Sequence, residues 1–285
     1  MRRIKTLIIA AMLSGGGAEA QAVPSSEPTA IGIIADNSFF IEEAYNQEPG
    51  VAQHVLAAAH FPAPRSTWSM ALTGEFPLHT QRHQGSWTLV FASSGAQDNL
   101  RPADLLLSYR LQLDDGAGGV AIAPRVSLIV PLSDERSSVG NWSFQSNLPV
   151  SIDQLRPLVA HVNAGATYTP CREVRSGGAG GYVPGTRDLI DYNLGASLAL
   201  LIHPQVNVMF EAVRAWTGYV NRHGRAAHAS ETVVCPGTRA AINTAAGQIV
   251  PGLGLPIRWS DEGRDVGLFL YLSFEHANNY RLHAR

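Results

Sequence analysis

Ala103-Asp104-Leu105-Leu106-Leu107-Ser108-Tyr109-Arg110-Leu111-Gln112-Leu113 changes chemistry with a period of two. Leu105, Leu107, Tyr109, Leu111 and Leu113 share one face of an extended chain, and Ser108, Arg110 and Gln112 share the other. This is a strand with one apolar and one wet face, about as long as a strand crossing hydrocarbon needs to be. Upstream, Trp68, Met70, Leu72 and Phe76 oppose Thr67, Ser69, Thr73 and Glu75. Downstream, Val120, Ile122, Val126, Leu128 and Val130 oppose Ala121, Arg125 and Ser127. The pattern recurs to the last such segment, where Val266, Leu268, Leu270, Leu272 and Phe274 oppose Ser273 and Glu275.

A soluble antiparallel sheet with one wet face would alternate in the same way. Connection lengths separate the two readings. From Ala52 onward, short links (Leu78–His83, Asp114–Gly118, Ile152–Arg156, His203–Pro204, Thr244–Ala246) alternate with a usually longer set (Phe61–Arg65, Ser93–Pro102, Leu132–Asn141, Pro170–Arg187, Gly218–Ser230, Trp259–Arg264). Short turns on one rim and long loops on the other are the construction of an outer-membrane barrel. The expected fold is therefore all-β: a closed antiparallel transmembrane β-barrel of about 12 strands with a short N-terminal helix or tether. Closure also satisfies every backbone group in hydrocarbon. Pro124, Pro149, Pro251 and Pro256 fall within predicted strands, and each suggests a bulge or a strand end.

The start of the chain fits export. Arg2, Arg3 and Lys5 precede the apolar run Thr6 to Leu13, and Ala18-Glu19-Ala20 ends a small-residue stretch. That is the layout of a signal peptide, and the apolar run is too short to span as a helix. The expected division is residues 1–20 as leader, 21–50 as a periplasmic segment with a short helix, 51–276 as barrel and 277–285 as tail. Of 21 Lys+Arg three lie in the leader, and of 23 Asp+Glu one does, so the remainder carries a net charge of −4. No basic excess is present to hold nucleic acid.

Strand parity directs Glu75, Arg110, Arg125, His161, Asp191, Glu211, Arg239 and Glu275 inward. Charges of both signs suit a water-filled pore, and they equally suit a paired network that fills a narrow barrel. Strand number alone does not choose between the two. Phe39 to Gln47 reads as a short helix with Asn37 or Ser38 as N-cap and Glu42 and Glu43 in its first turns. Phe39, Glu42, Glu43, Tyr45 and Gln47 then become candidates for a plug or periplasmic gate, the other reading being a tether packed on the rim. Cys171 and Cys235 also have inward parity; a disulfide pinning the Pro170–Arg187 loop and two free thiols are the two readings.

No catalytic or metal site is expected. His228-Ala229-Ser230 is the one His-x-Ser, without a placed third group, and a nucleophile needs both base and orienter. His223 and His228 lack further ligands for a metal. No cofactor is implied.

Asp36-Asn37-Ser38-Phe39-Phe40-Ile41-Glu42-Glu43-Ala44-Tyr45-Asn46-Gln47-Glu48-Pro49-Gly50 resembles the opening of the outer-membrane β-barrel proteins grouped as transporters of the phenol-degradation MetA pathway. Asp104 to Arg110, Ala123 to Leu128, Asn147 to Ser151, Gln248 to Gly252 and Phe269 to His276 are similar to that family as well. The resemblance implies an outer-membrane channel or transporter for small solutes, apolar or aromatic ones included, and a chain that is not an enzyme. Outer-membrane lipid, the barrel-assembly machinery and a small solute are the expected partners. The tail Ala277 to Arg285 departs from the aromatic end usual in such barrels, although Asp265, Gly267, Leu270 and Leu272 keep the polar–Gly–hydrophobic spacing of the assembly signal. A structural or adhesive barrel without an open pore, and a lipid-modifying enzyme acting through Ser230, are the competing readings.

Overall fold

A computed structural model describes residues 38–62, 66–93, 99–133, 141–178, 181–221, 225–261 and 263–277, with the side chains of residues 171–185 excepted. The leader, Asn37, the Cys171 side chain, His223 and the tail beyond Ala277 lie outside the described residues.

The chain forms a closed antiparallel meander of twelve strands. They are β1 (Val51–Phe61), β2 (Thr67–Pro77), β3 (His83–Ala92), β4 (Arg101–Leu111, continued by Asp114–Asp115), β5 (Val120–Ile122 and Arg125–Pro131) and β6 (Ser143–Ile152). Then follow β7 (Leu158–Gly178), β8 (Gly181–His203), β9 (Val206–Val220), β10 (Ala226–Ala240, continued by Ile242–Thr244), β11 (Gly247–Gly254 and Ile257–Ser260) and β12 (Gly263–Val266 and Leu268–Ala277). Each strand pairs with its sequence neighbour, and β1 closes the ring on β12 from Val51↔Ala277 to His60↔Leu268. No free edge is left among the described residues, so the ladder closes on itself.

Burial follows the alternation. Val126, Phe144 and Leu198 face outward at 57%, 57% and 46% exposure, whereas Arg125, Gln145 and Ser197 beside them are buried inside. The outward apolar side chains form the lipid-facing band. No helix among the described residues is long and apolar enough to cross a membrane.

Three long loops read from sequence are shorter than expected. Strand pairing continues through the Pro170–Arg187 stretch up to Gly178↔Gly181, so this is a projecting β-hairpin. Gly218–Ser230 is likewise mostly ladder, from Gly218↔His228 to Val220↔Ala226, and Ser260 pairs with Gly263. Polar and Gly-rich composition suggested loop, yet strands that are already in register extend beyond hydrocarbon at little further entropic cost. Of the prolines, Pro124 and Pro256 mark strand breaks, and Pro149 and Pro251 sit in continuous register.

Candidate functional site: the occupied lumen

The predicted helix over Phe39 to Gln47 does not form. Ser38 to Gln47 is an irregular, fully buried segment inside the barrel, and it is not a tether on the rim. A helix would bond its own backbone; this segment bonds the wall instead. The amides of Phe39 and Phe40 donate to the carboxylate of Glu211 on β9, Phe40 at 2.8 Å. Glu42 N donates to Asn163 Oδ1 (2.7 Å), Ala44 N to Ser151 Oγ (2.9 Å), Asn46 N to Gln112 Oε1 (3.3 Å) and Gln47 N to Gln84 Oε1 (2.6 Å). Its carbonyls are met as well. Asn163 Nδ2 donates to Glu42 O at 2.6 Å, and Gln112 Nε2 to Ala44 O at 3.3 Å. Acceptors spaced around the wall outcompete the i→i−4 ladder, because every buried amide must find a partner somewhere.

Charge holds the middle of the segment. Glu42 lies between Arg110 Nη1 (3.2 Å) and Arg125 Nε (2.9 Å), with Asn147 Nδ2 a third donor at 2.7 Å. Arg110 also donates to Glu43 O (3.1 Å), Tyr45 O (2.5 Å) and Asn46 Oδ1 (2.8 Å). One guanidinium thus fixes four successive points of the chain. Arg125 is braced by Gln145 Oε1 at 3.0 Å and by the hydroxyls of Ser108 and Ser127. The Glu43 carboxylate turns back to accept from Ser38 N, and Ser38 Oγ reaches Ser197 Oγ at 2.6 Å.

The apolar residues are seated in glycine-lined hollows. The Phe39 ring lies where a Cβ at Gly237, Gly252 (2.8 Å) or Gly254 (3.1 Å) would stand, with Phe269 and Tyr271 at centroid distances of 4.9 and 5.7 Å. Ile41 fills the corresponding space at Gly195. Phe40 packs edge-on against Phe269 at 4.8 Å. At the other end Asn46 Nδ2 bonds Gln81 O in the short turn before β3, and Gln47 Nε2 bonds Gln53 Oε1 in β1. The segment therefore runs from the short-turn rim to the level of Glu211, joined to β1 through Glu48–Gly50.

Glu75, Arg110, Arg125, His161, Glu211 and Arg239 are buried in the interior as parity anticipates. Arg110, Arg125 and Glu211 grip the segment directly. His161 acts through Ser151, whose hydroxyl meets Nδ1 at 2.8 Å, and Glu75 accepts from Gln84 Nε2 at 3.0 Å. Arg239 lies over the Tyr271 ring, 5.5 Å from its centroid. Asp191 and Glu275 are only half-buried. Asp191 accepts from Gly218 N near the long-loop rim, and Glu275 stands at the short-turn rim. Alternation puts Gln112 on the wet face, but the roles of Asn163, Ser151, Gln112 and Gln84 could not be read, because a neutral lumen-facing amide or hydroxyl carries no sign of its partner. Cys235 is a free thiol, buried with its Sγ 2.7 Å from where a Cβ at Gly254 would stand, and its counterpart Cys171 has its side chain outside the described residues.

The long-loop half of the interior mixes apolar and charged groups. Ala59, Phe61, Val90, Ala92, Ala103 and Leu106 are buried there together with Asp104, Glu231 and the Arg258–Asp265 pair (2.6 Å), whereas the charged groups that hold the segment lie nearer the short turns. His228 and Ser230 face outward and are engaged elsewhere, His228 with Ile190 O and Ser230 with Arg214.

The architecture is that of outer-membrane β-barrels. Among solved structures the NanC porin is similar, with a TM-score of 0.53 and 11% identity over 78% of this chain and 98% of that one. An outer membrane channel from Pseudomonas putida F1 is similar with a TM-score of 0.58 and 14% identity, over 80% of this chain and 95% of that one. No protein-family model and no curated protein matches the chain.

Proposed function

We propose that this chain is a channel of the bacterial outer membrane for small solutes, held shut by its own N-terminal segment. The observation that carries the reading is the seating of Ser38 to Gln47 by polar and charged wall residues rather than by hydrophobic packing alone. Such bonds are individually worth about 1 kcal/mol, or about 1.5–3 kcal/mol where charged, and wall and segment groups released together can exchange them for water. A continuous hydrophobic core would not release in this way. Alanines, Val90 and Leu106 line part of the path from the long-loop side, interrupted by Asp104 and the Arg258–Asp265 pair, and they offer contact to apolar or aromatic solutes. The resemblance to the MetA-pathway transporters supports the same solute class. A structural barrel without a pore is the second reading, favoured by the pairing of Arg110 and Arg125 with Glu42.

Planar-bilayer recordings of the full chain and of a variant lacking Ser38 to Gln47 test the proposal. The expected result is small, intermittent conductance for the full chain and large, steady conductance for the deletion. A deletion variant that keeps its heat-dependent gel shift and still does not conduct would rule out the channel reading and leave the structural barrel.

A further inference from the structure

The outward face of β8 to β12 carries a row at the top of the lipid-facing band in which two arginines and a threonine stand among Leu194 and Trp259. Leu194 pairs with Arg214, Arg214 with Thr232, Thr232 with Trp259 and Trp259 with Arg264. Directly paired residues of antiparallel strands share a face, so these side chains stand side by side on the outside. At about 4.8 Å per strand, the backbones of Arg214 and Arg264 are roughly 14 Å apart. Phe210, Leu253 and Leu270, lower on the same face, are exposed and apolar. Tyr192 and Trp216 pair one step above Arg214, as an interfacial aromatic girdle would.

Arg214 is exposed at this boundary but not loose. Nη1 donates to Thr232 Oγ1 at 2.7 Å, Nη2 donates to Ser230 Oγ at 2.8 Å, and the guanidinium lies 5.7 Å from the Trp216 ring centroid. No carboxylate among the described residues pairs with Arg214 or Arg264. A fixed guanidinium that faces lipid, with three of its five N–H donors unused, is suited to a tetrahedral oxyanion. The long-loop rim faces outward from the cell in barrels of this construction, so the row lies at the headgroups of the outer leaflet.

We propose that Arg214 and Arg264, with the hydroxyls of Ser230 and Thr232, hold the phosphorylated headgroup of an outer-leaflet glycolipid, its acyl chains lying on Phe210, Leu253 and Leu270. The site depends on the outer-membrane location proposed above, and it is independent of whether the lumen conducts. Native mass spectrometry of the purified full chain, with diphosphorylated lipid A as probe, tests it. The wild type is expected to retain the lipid. The R214Q/R264Q double variant, still shifting on gels as a folded barrel, is expected to lose at least tenfold of that retention. Fully dephosphorylated lipid A should not be retained. Equal retention by the double variant, or of the dephosphorylated lipid, would overturn the site in favour of acyl-chain adhesion alone. Displacement of the lipid by millimolar inorganic phosphate would overturn it in favour of a free-anion site. Bilayer conductance of the same preparations reads the channel proposal separately.

Discussion

A single methyl group at position 237 would collide with the ring of Phe39. Gly237 is part of the hollow that seats the segment, and Gly237→Val is expected to unseat Phe39 while the ladder around it persists. Open probability in planar bilayers should rise severalfold with the gel shift unchanged; an unaltered open probability would mean that Phe39 does not hold the closed state. Glu42 makes the complementary case in charge. Its side chain is 4% exposed between two guanidinium groups that are equally buried. Glu42→Ala leaves both uncompensated, which typically costs about 3–5 kcal/mol. The loss should appear as protease sensitivity of the segment ahead of Val51, with Glu42→Gln intermediate because it keeps hydrogen bonds but not charge. Protection equal to wild type in Glu42→Ala would show that the ion pairs do not hold the segment.

At the level of elements, period-two alternation made the strands and their faces legible, because the pleat itself has that period and the two faces meet different solvents. Arg110, Arg125 and Glu211 could be directed inward on parity alone. What each touches could not be read, since Glu211 bonds Phe39 from 172 positions away and Asn163 bonds Glu42 from 121. For the same reason Phe39 to Gln47 looked helical. Its local pattern of caps and acids is compatible with a helix, and the acceptors that draw it out are distant in sequence. Strand extent erred where composition was polar, as in the β7–β8 hairpin. Closure rests on β1 pairing at both edges, so Ala58→Pro removes a ladder donor between Met70 and Leu270. That variant is expected to lose the heat-dependent gel shift of an assembled barrel. Retention of the shift would place the closing seam elsewhere.

Over the whole molecule, the segment brings Glu42 and Glu43 into the inner half of the interior, where Glu42 meets Arg110 and Arg125. Removing Ser38 to Gln47 withdraws those two carboxylates and leaves Arg110 and Arg125 facing water without Glu42. The reversal potential in a KCl gradient should therefore move toward chloride relative to the full chain's residual openings, and Arg110→Ala/Arg125→Ala in the deletion background should move it back. A shift toward potassium on deletion would show that carboxylates of the wall, such as Glu75 and Glu211, dominate the opened path.

The turn Glu48–Gly50 has a kinetic meaning beyond geometry. Only three residues separate Gln47 from the first wall strand, and Val51 N is bonded back to Glu48 O at 3.0 Å. A ligand on so short a leash meets its own receptor at an effective concentration on the order of millimolar, whatever the density of barrels in the membrane. Rebinding is then unimolecular. A synthetic copy of residues 38–47 supplied from solution would compete only near that concentration, whereas one cut in the leash would let the occupant diffuse away for good.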